Sequence, residues 1–251
     1  MKIVLIGSGN VAYHLAKAFA ENSSYQLELF ARNEEELLKI SKELEIPFAK
    51  ELPQDADLYI ISVSDGAIED LSLKITNPNA LVTHTSGSIS RENLKGNYRK
   101  GVFYPLQTFS KKKELNYSEI PFFVDAENDS DLQILSSVAS KLSKRVLPAD
   151  DEKRKYIHLT AVFACNFVNH LYARAKEISD SQHIPFDYFV PLIQETTDKI
   201  QYLDPKDAQT GPAIRNDKKV LELHESLIKD AEQLKLYSTL NESIKKMYNL
   251  D

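Results

Sequence analysis

Lys2-Ile3-Val4-Leu5-Ile6, then Gly7-Ser8-Gly9-Asn10-Val11-Ala12, then the amphipathic run Tyr13 to Glu21 is the stretch that decides the fold. An apolar strand enters a G-x-G-x-x-A turn that opens a helix. That arrangement aims backbone N–H groups and the positive helix end at one point, where a pyrophosphate can sit. Gly7 permits the tight turn, Gly9 lets a phosphate approach the backbone, and Ala12 is small enough for helix and strand to pack closely. Ser8, Asn10 and Val11 complete the cradle. The glycine pattern alone is weak evidence, but between a strand and a helix it reads as a dinucleotide site.

The second strand, Gln26 to Arg32, addresses which dinucleotide. The residue about 20 to 25 positions beyond the glycines meets the adenosine ribose, and an acidic residue there accepts hydrogen bonds from its hydroxyls. Here the strand ends in Ala31-Arg32-Asn33. A guanidinium fork suits a 2′-phosphate, so Arg32 and Asn33 point to NADP rather than NAD. Glu34, Glu35 and Glu36 read as the acidic first turn of the next helix.

Further along, strands and helices alternate: a helix over 34–44, a strand over 58–63, a short helix over 67–73 and a strand over 80–85. This predicts a parallel, doubly wound sheet covered on both faces. Val63 and Ser64 end the strand expected to be fourth, at the edge where such sheets bind ligands. His84-Thr85-Ser86-Gly87-Ser88 ends the next, placing His84 and Ser86 beside the reactive end of the cofactor. After a short strand over 101–103, Tyr104-Pro105 reads as an extended turn that brings Tyr104 and Gln107 to the cleft. Last come strands at 121–124 and 145–147 around a helix over 129–142.

Beyond Ala149 the pattern becomes all-helical. Helices are predicted over 151–180, 185–203 and 217–248, giving a nucleotide-binding domain over 1–149 and an α-helical domain over 150–251. At 100° per residue, His158, Cys165 and Asn169 fall within about 40° of one another, with Asn166 at the margin. His158 and Asn166 are about 12 Å apart along the axis and would line different parts of a groove. Cys165 reads as a packed small side chain. In the loop Gln209 to Asp217, Gly211-Pro212 punctuates, Asn216 or Asp217 caps the final helix, and Arg215 is the candidate for a substrate carboxylate or phosphate.

Net charge is −6, and basic runs such as Lys111-Lys112-Lys113 are short, so nucleic acid is a poor candidate partner and those lysines read as solvated loop charges. The single cysteine excludes an intrachain disulfide framework and a multi-cysteine metal site, and no metal is expected. No segment has the ~18 to 20 consecutive apolar residues that cross a bilayer. The first strand begins at Lys2, so a signal peptide is not expected, and the reading is cytoplasmic.

Taken in order, GSGNVA, HTSGS, YPLQTF, HLTAVFACNFVNHL and QTGPAIRND resemble the Rossmann-like proteins with a DUF2520 C-terminal domain. These are relatives of pyrroline-5-carboxylate reductase, coenzyme F420-dependent NADP reductase and the β-hydroxyacid dehydrogenases. The resemblance spans nearly the whole chain. It implies a Rossmann sheet of about six to eight strands, an all-α second domain, NADP as cofactor and a homodimer through the helices. One departure stands out. β-Hydroxyacid dehydrogenases carry Lys-x-x-x-Asn on the first helix after the sheet; with Asn166 matched to that asparagine, Val162 stands at the lysine position and cannot donate a proton.

These readings converge on an NADP(H)-dependent oxidoreductase that moves hydride to or from the C=N or C=O carbon of a small, anionic substrate. His158 is the expected proton donor or polariser, with Tyr104 and His84 as further candidates, Asn166 orienting the substrate and Arg215 holding its anion. The missing lysine keeps open a non-catalytic, NADP-responsive binding protein. A reductase for another redox cofactor such as a deazaflavin would need a wide planar slot beside His84 and Tyr104.

Overall fold

In a computed structural model that describes residues 1–21 and 25–250, the strands are β1 (Lys2–Ile6), β2 (Gln26–Phe30), β3 (Leu58–Ile61), β4 (Leu81–His84), β5 (Arg99–Pro105), β6 (Phe122–Ala126) and β7 (Val146–Pro148). Among the described residues they form one seven-stranded sheet in the order β2-β1-β3-β4-β5-β6-β7. All neighbours are parallel except β5 and β6. The chain passes from β1 to one neighbour and then returns to the other, so a topological switch point lies between β1 and β3 at their carboxyl ends. That is where open α/β sheets bind ligands.

The strand expected to be fourth is third. The segment outside β2 makes only the isolated Leu29–Phe48 bridge, flanked by Leu29 N–H donating to Pro47 O and Ala49 N–H to Leu29 O, both at 2.9 Å. Pro47 cannot donate to a ladder, which keeps this edge short. Tyr104 and Pro105, expected in a turn, are the last residues of β5 and pair with Phe123 and Phe122. Proline's bias toward extended backbone at the preceding residue serves the strand equally well.

Side chains alternate across β1 into two cores. Ile3 and Leu5 pack with α1 (Asn10–Glu21), α2 (Glu34–Leu44) and later α4 (Asp129–Leu142), whereas Val4 and Ile6 pack with Tyr59, Ile61 and α3 (Ile68–Ser72). Both faces of the sheet are therefore covered, as its unbroken apolar strands require.

Helices follow from Asp151: α5 (Asp151–Ala161), a π-helical stretch Val162–Phe167, α6 (Val168–Ser181), α7 (Val190–Lys199), α8 (Lys218–Leu227) and α9 (Ala231–Met247). The chain divides into two compact units, Met1–Asn166 and Phe167–Asp251. The division falls inside the helical stretch because the first turn of α5 is bonded to the sheet unit through Arg154 and Asp151, described below. In the second unit, the run over 217–248 is two helices. Ile228 turns extended, with ψ 117°, and Asp230 caps α9 by accepting from Gln233 N–H at 2.7 Å. Asp217 caps α8, accepting from Val220 N–H.

Helical periodicity in these segments does not translate into burial within the chain. Leu159, Phe163, Phe167 and Ile178 of the expected apolar stripe are exposed, as are Tyr188, Leu192, Tyr202 and Leu227. Among the described residues, no helix is long and apolar enough to cross a membrane.

Candidate functional site

A cleft of about 530 Å³ opens at the carboxyl ends of β1, β3 and β4, wholly within the first unit. Its floor is the glycine turn. Gly7 has φ +139°, and a Cβ there would stand 2.1 Å from the Ser62 carbonyl oxygen. Only glycine fits, by backbone conformation and by space. At Gly9 a Cβ would meet nothing within 4 Å and would project into open space, the room a pyrophosphate needs. Ser8, Asn10 and Val11 line the cleft. Ala12 lies buried beneath it, its methyl 3.4 Å from the position of a Gly7 Cβ.

At one end stand Arg32 and Asn33, with Val63, Ser64 and Asp65 on the next strand end. Arg32 is exposed. Asn33 caps α2, its Oδ1 accepting from Glu36 N–H at 3.1 Å, which leaves its amide N–H groups for a ligand. The opposite end is formed by Thr85, Ser86, Gly87, Ser88, Tyr104 and His158. Ser86 Oγ accepts from the N–H groups of Ser88 and Ile89, each at 3.1 Å, folding the turn while its own proton stays available.

Tyr104 and His158, fifty-four residues apart in sequence, meet here with the phenol oxygen 3.1 Å from His158 Nδ1. Burial pushes the Tyr104 phenol up to about 12, so it remains protonated at neutral pH. Gly87 makes this meeting possible. A Cβ on it would lie 2.7 Å from both His158 Nδ1 and Tyr104 Cζ.

Of the expected site residues, His84, Asn166 and Gln107 do not line this cleft, and Arg215 belongs to the second unit. His84 is wholly buried and absent from the cleft lining; its Nδ1 accepts from Ser86 N–H at 3.2 Å. Burial, with the Arg154 cation nearby, pushes it down to about 4 and keeps it neutral. As the last residue of a strand covered on both faces, it points into protein rather than toward a ligand. Asn166 is exposed in the π-helical stretch and does not line the cleft. The i→i+5 pattern of that stretch rotates residues beyond Val162 away from a 100° wheel, which also leaves Cys165 exposed rather than packed. Arg215 is exposed within the second unit. Gln107 is exposed as well, its Oε1 accepting from Thr108 N–H.

The model of the domain of unknown function DUF2520 matches residues 120–244. A Bacteroides fragilis protein, named provisionally as an NADP oxidoreductase, is 42% identical over 98% of each chain, with a TM-score of 0.91. The chain belongs to the DUF2520 family. Two more distant structures share the fold. An imine reductase from Myxococcus stipitatus, solved with NADP+, is 15% identical over 99% of this chain and 92% of its own, with a TM-score of 0.66. 1-Pyrroline-5-carboxylate reductase from Streptococcus pyogenes is 15% identical over 98% of each chain, with a TM-score of 0.67. No curated protein matches the chain.

Behind the His158 end, this DUF2520 protein carries a buried charge cluster that local sequence does not announce. Arg154, 0% exposed, donates from Nη2 to Ile89 O at 2.6 Å and to Asp151 Oδ1, and its Nη1 lies 4.0 Å from Asp125 Oδ2. Asp151 also accepts from Ser90 Oγ and from Arg91 N–H. Burial alone would raise the Asp151 carboxyl, but Ser90, Arg154 and the Arg91 amide together hold it below its ordinary value. The cluster clamps the first turn of α5 to the turn after β4. His158, one helical turn beyond Arg154, is thereby set against Tyr104 and Gly87. Asp150 reinforces the helix start as its N-cap.

Proposed function

We propose that the protein is an NADP(H)-dependent oxidoreductase acting on the C=N or C=O carbon of a small anionic molecule. The observation that carries this reading is one continuous cleft with a glycine cradle in its floor, a guanidinium at the ribose end and a protonated phenol bonded to an imidazole at the other. Its support from relatives is the provisional NADP oxidoreductase name of the Bacteroides fragilis protein and the NADP+ bound in the imine reductase of like fold.

The residues present fit the cofactor. Gly7 to Val11 form the pyrophosphate seat, where the open space above Gly9 and the N-terminus of α1 favour an anion. Arg32 and the free Asn33 amide would take the 2′-phosphate, and Ser64 and Ser86 the ribose and carboxamide side. NADPH supplies the hydride when bound.

The protein's own part is orientation and proton supply. In this reading the Tyr104 O–H is the donor and His158 Nδ1 the acceptor, which assigns the ring proton to Nε2. His158 Nε2–H then serves as donor to a substrate nitrogen or oxygen, with Tyr104 fixing the tautomer. An iminium substrate eases the demand on this donor because it already carries the positive charge that hydride attack requires. Asn166 is assigned to substrate orientation and Arg215 to the substrate's anion; Arg215→Ala should raise KM without altering NADPH affinity.

Tyr188, Leu192, Tyr202 and Leu227 of the second unit are large apolar side chains left exposed in the single chain. A second copy of the chain is the partner we assign to them, and sedimentation should give a dimer that charged substitutions at Leu192 and Leu227 dissociate. A cytoplasmic setting accords with the lone exposed thiol.

The functional test is NADPH consumption against a panel of cyclic imines and keto acids. Turnover that His158→Ala abolishes while NADPH still binds supports the assignment; turnover unchanged in His158→Ala removes this residue from the reaction.

A further inference from the structure

The adenosine end of the cleft is acidic. Glu34, Glu35 and Glu36 occupy the first turn of α2, immediately after Arg32 and Asn33. Such carboxylates suit the helix dipole. They oppose a 2′-phosphate, whose monoester carries about −1.5 to −2 charges at neutral pH. Glu36 donates its backbone N–H to Asn33 Oδ1, which ties it directly to a residue of the proposed phosphate seat.

Lys111 reaches this place from the segment between β5 and β6. Its Nζ donates to the Ser8 carbonyl at 3.0 Å and forms an ion pair with Glu36. It also stands 5.8 Å over the Tyr13 ring. The ammonium therefore joins the glycine turn to the ribose end. It is not a solvated loop charge, as the Lys111-Lys112-Lys113 run suggests by composition alone.

The segment that carries it is fixed on both sides. His14, buried on α1, contacts the Ser110 carbonyl through Nε2 and the Tyr117 hydroxyl through Nδ1, each at 2.9 Å. Lys17 bonds Glu114 at 2.7 Å. These ties hold residues 110–117 against α1 and place Lys111 independently of any ligand.

We propose that Lys111 is a specificity-determining residue for NADP over NAD. Paired with Glu36, it neutralises the carboxylate that would repel the 2′-phosphate at Arg32 and Asn33, and its bond to Ser8 O anchors that compensation to the pyrophosphate seat. The proposal rests on the NADP reading above. Both dinucleotides share the pyrophosphate and only NADP(H) adds the 2′-phosphate, so the part of the Lys111 effect that acts on that phosphate separates the two. A merely structural tie to Ser8 would weaken both alike.

The test is titration of the full chain with NADPH and NADH at low and moderate salt, comparing wild type, Lys111→Met and Glu36→Gln. Lys111→Met keeps an unbranched stem and removes the charge. It should weaken NADPH about tenfold, with NADH changed less than about twofold, and the deficit should shrink as salt rises. Adding Glu36→Gln to Lys111→Met should restore most of the loss. Glu36→Gln alone retains the lysine, guards against poor folding of Lys111→Met, and should tighten NADPH severalfold while changing NADH less. Equal weakening of both dinucleotides by Lys111→Met, or no discrimination in Glu36→Gln, overturns the inference while leaving the cofactor reading intact. Wild-type protein that binds neither dinucleotide overturns the cofactor reading itself, and the inference with it.

Discussion

Replacing Gly87 by alanine adds a single methyl where His158 and Tyr104 converge. The new carbon would start 2.7 Å from His158 Nδ1, 2.7 Å from Tyr104 Cζ and 2.9 Å from His158 Cβ. Reaching ordinary contact requires a retreat of about 0.7 Å, and overpacking of this kind costs about 1–3 kcal/mol. His158 and Tyr104 are the groups that must yield, and their 3.1 Å bond has little length to spare. A displacement approaching 1 Å at a reacting group costs about 100-fold in rate. Gly87→Ala should therefore lower turnover by about two orders of magnitude, lower the unfolding free energy by about 1–3 kcal/mol, and change NADPH affinity little. Gly9→Ala is the matched control. Its methyl meets no protein atom within 4 Å, so stability should hold while NADPH binding is lost. The assays are urea unfolding, NADPH fluorescence titration and initial rates on the best imine or keto acid. Wild-type turnover in Gly87→Ala would refute the claim that His158 acts from the position Gly87 allows.

Other substitutions probe the remaining parts of the site. Tyr104→Phe removes the hydroxyl that lies 3.1 Å from His158 Nδ1; on the proposed role turnover should fall about 10- to 100-fold with NADPH affinity unchanged, and full activity would exclude the phenol from proton supply. Asp151→Ala leaves the wholly buried Arg154 without its closest carboxylate and should cost about 3–5 kcal/mol in urea unfolding; a loss below about 1 kcal/mol would mean the cluster does not clamp α5. His84 gives a pH signature. Held neutral down to about pH 4 in the folded chain against an ordinary 6.5, it lets the unfolded chain bind more protons between those values. Stability should accordingly fall by about 2 kcal/mol from pH 7 to pH 5 on this account alone, flattening below about pH 4. His84→Gln should remove that component, and parallel pH curves for the two proteins would contradict it.

The strand, glycine turn and helix at the N-terminus were legible because their signals are local: an apolar run, glycines at fixed offsets and an immediate helical period. The residues Arg32, Asn33, Ser64 and Ser86 followed from where parallel strands end. Tyr104 and His158 were found separately, but their bond depends on Gly87, whose role is a missing side chain between two distant segments. Lys111 was hidden for the same reason, since a lysine run has the same composition whether solvated or tied to Ser8 and Glu36. His84 misled because the alternation that marks a strand end does not say whether its last side chain faces ligand or core. Beyond Val162, the π-helical stretch broke the wheel on which Cys165, Asn166 and Asn169 were compared. The break at Ile228 to Asp230 interrupts an apolar period without glycine or proline, and only the Asp230 cap marks it.

The most direct test of the account is fluorescence titration of wild type and Arg32→Ala with NADPH and NADH. The cleft predicts that wild type binds NADPH more tightly than NADH and that Arg32→Ala removes the preference by weakening NADPH alone. Absence of dinucleotide binding by the wild-type chain, or an NADPH preference that survives Arg32→Ala, would contradict it.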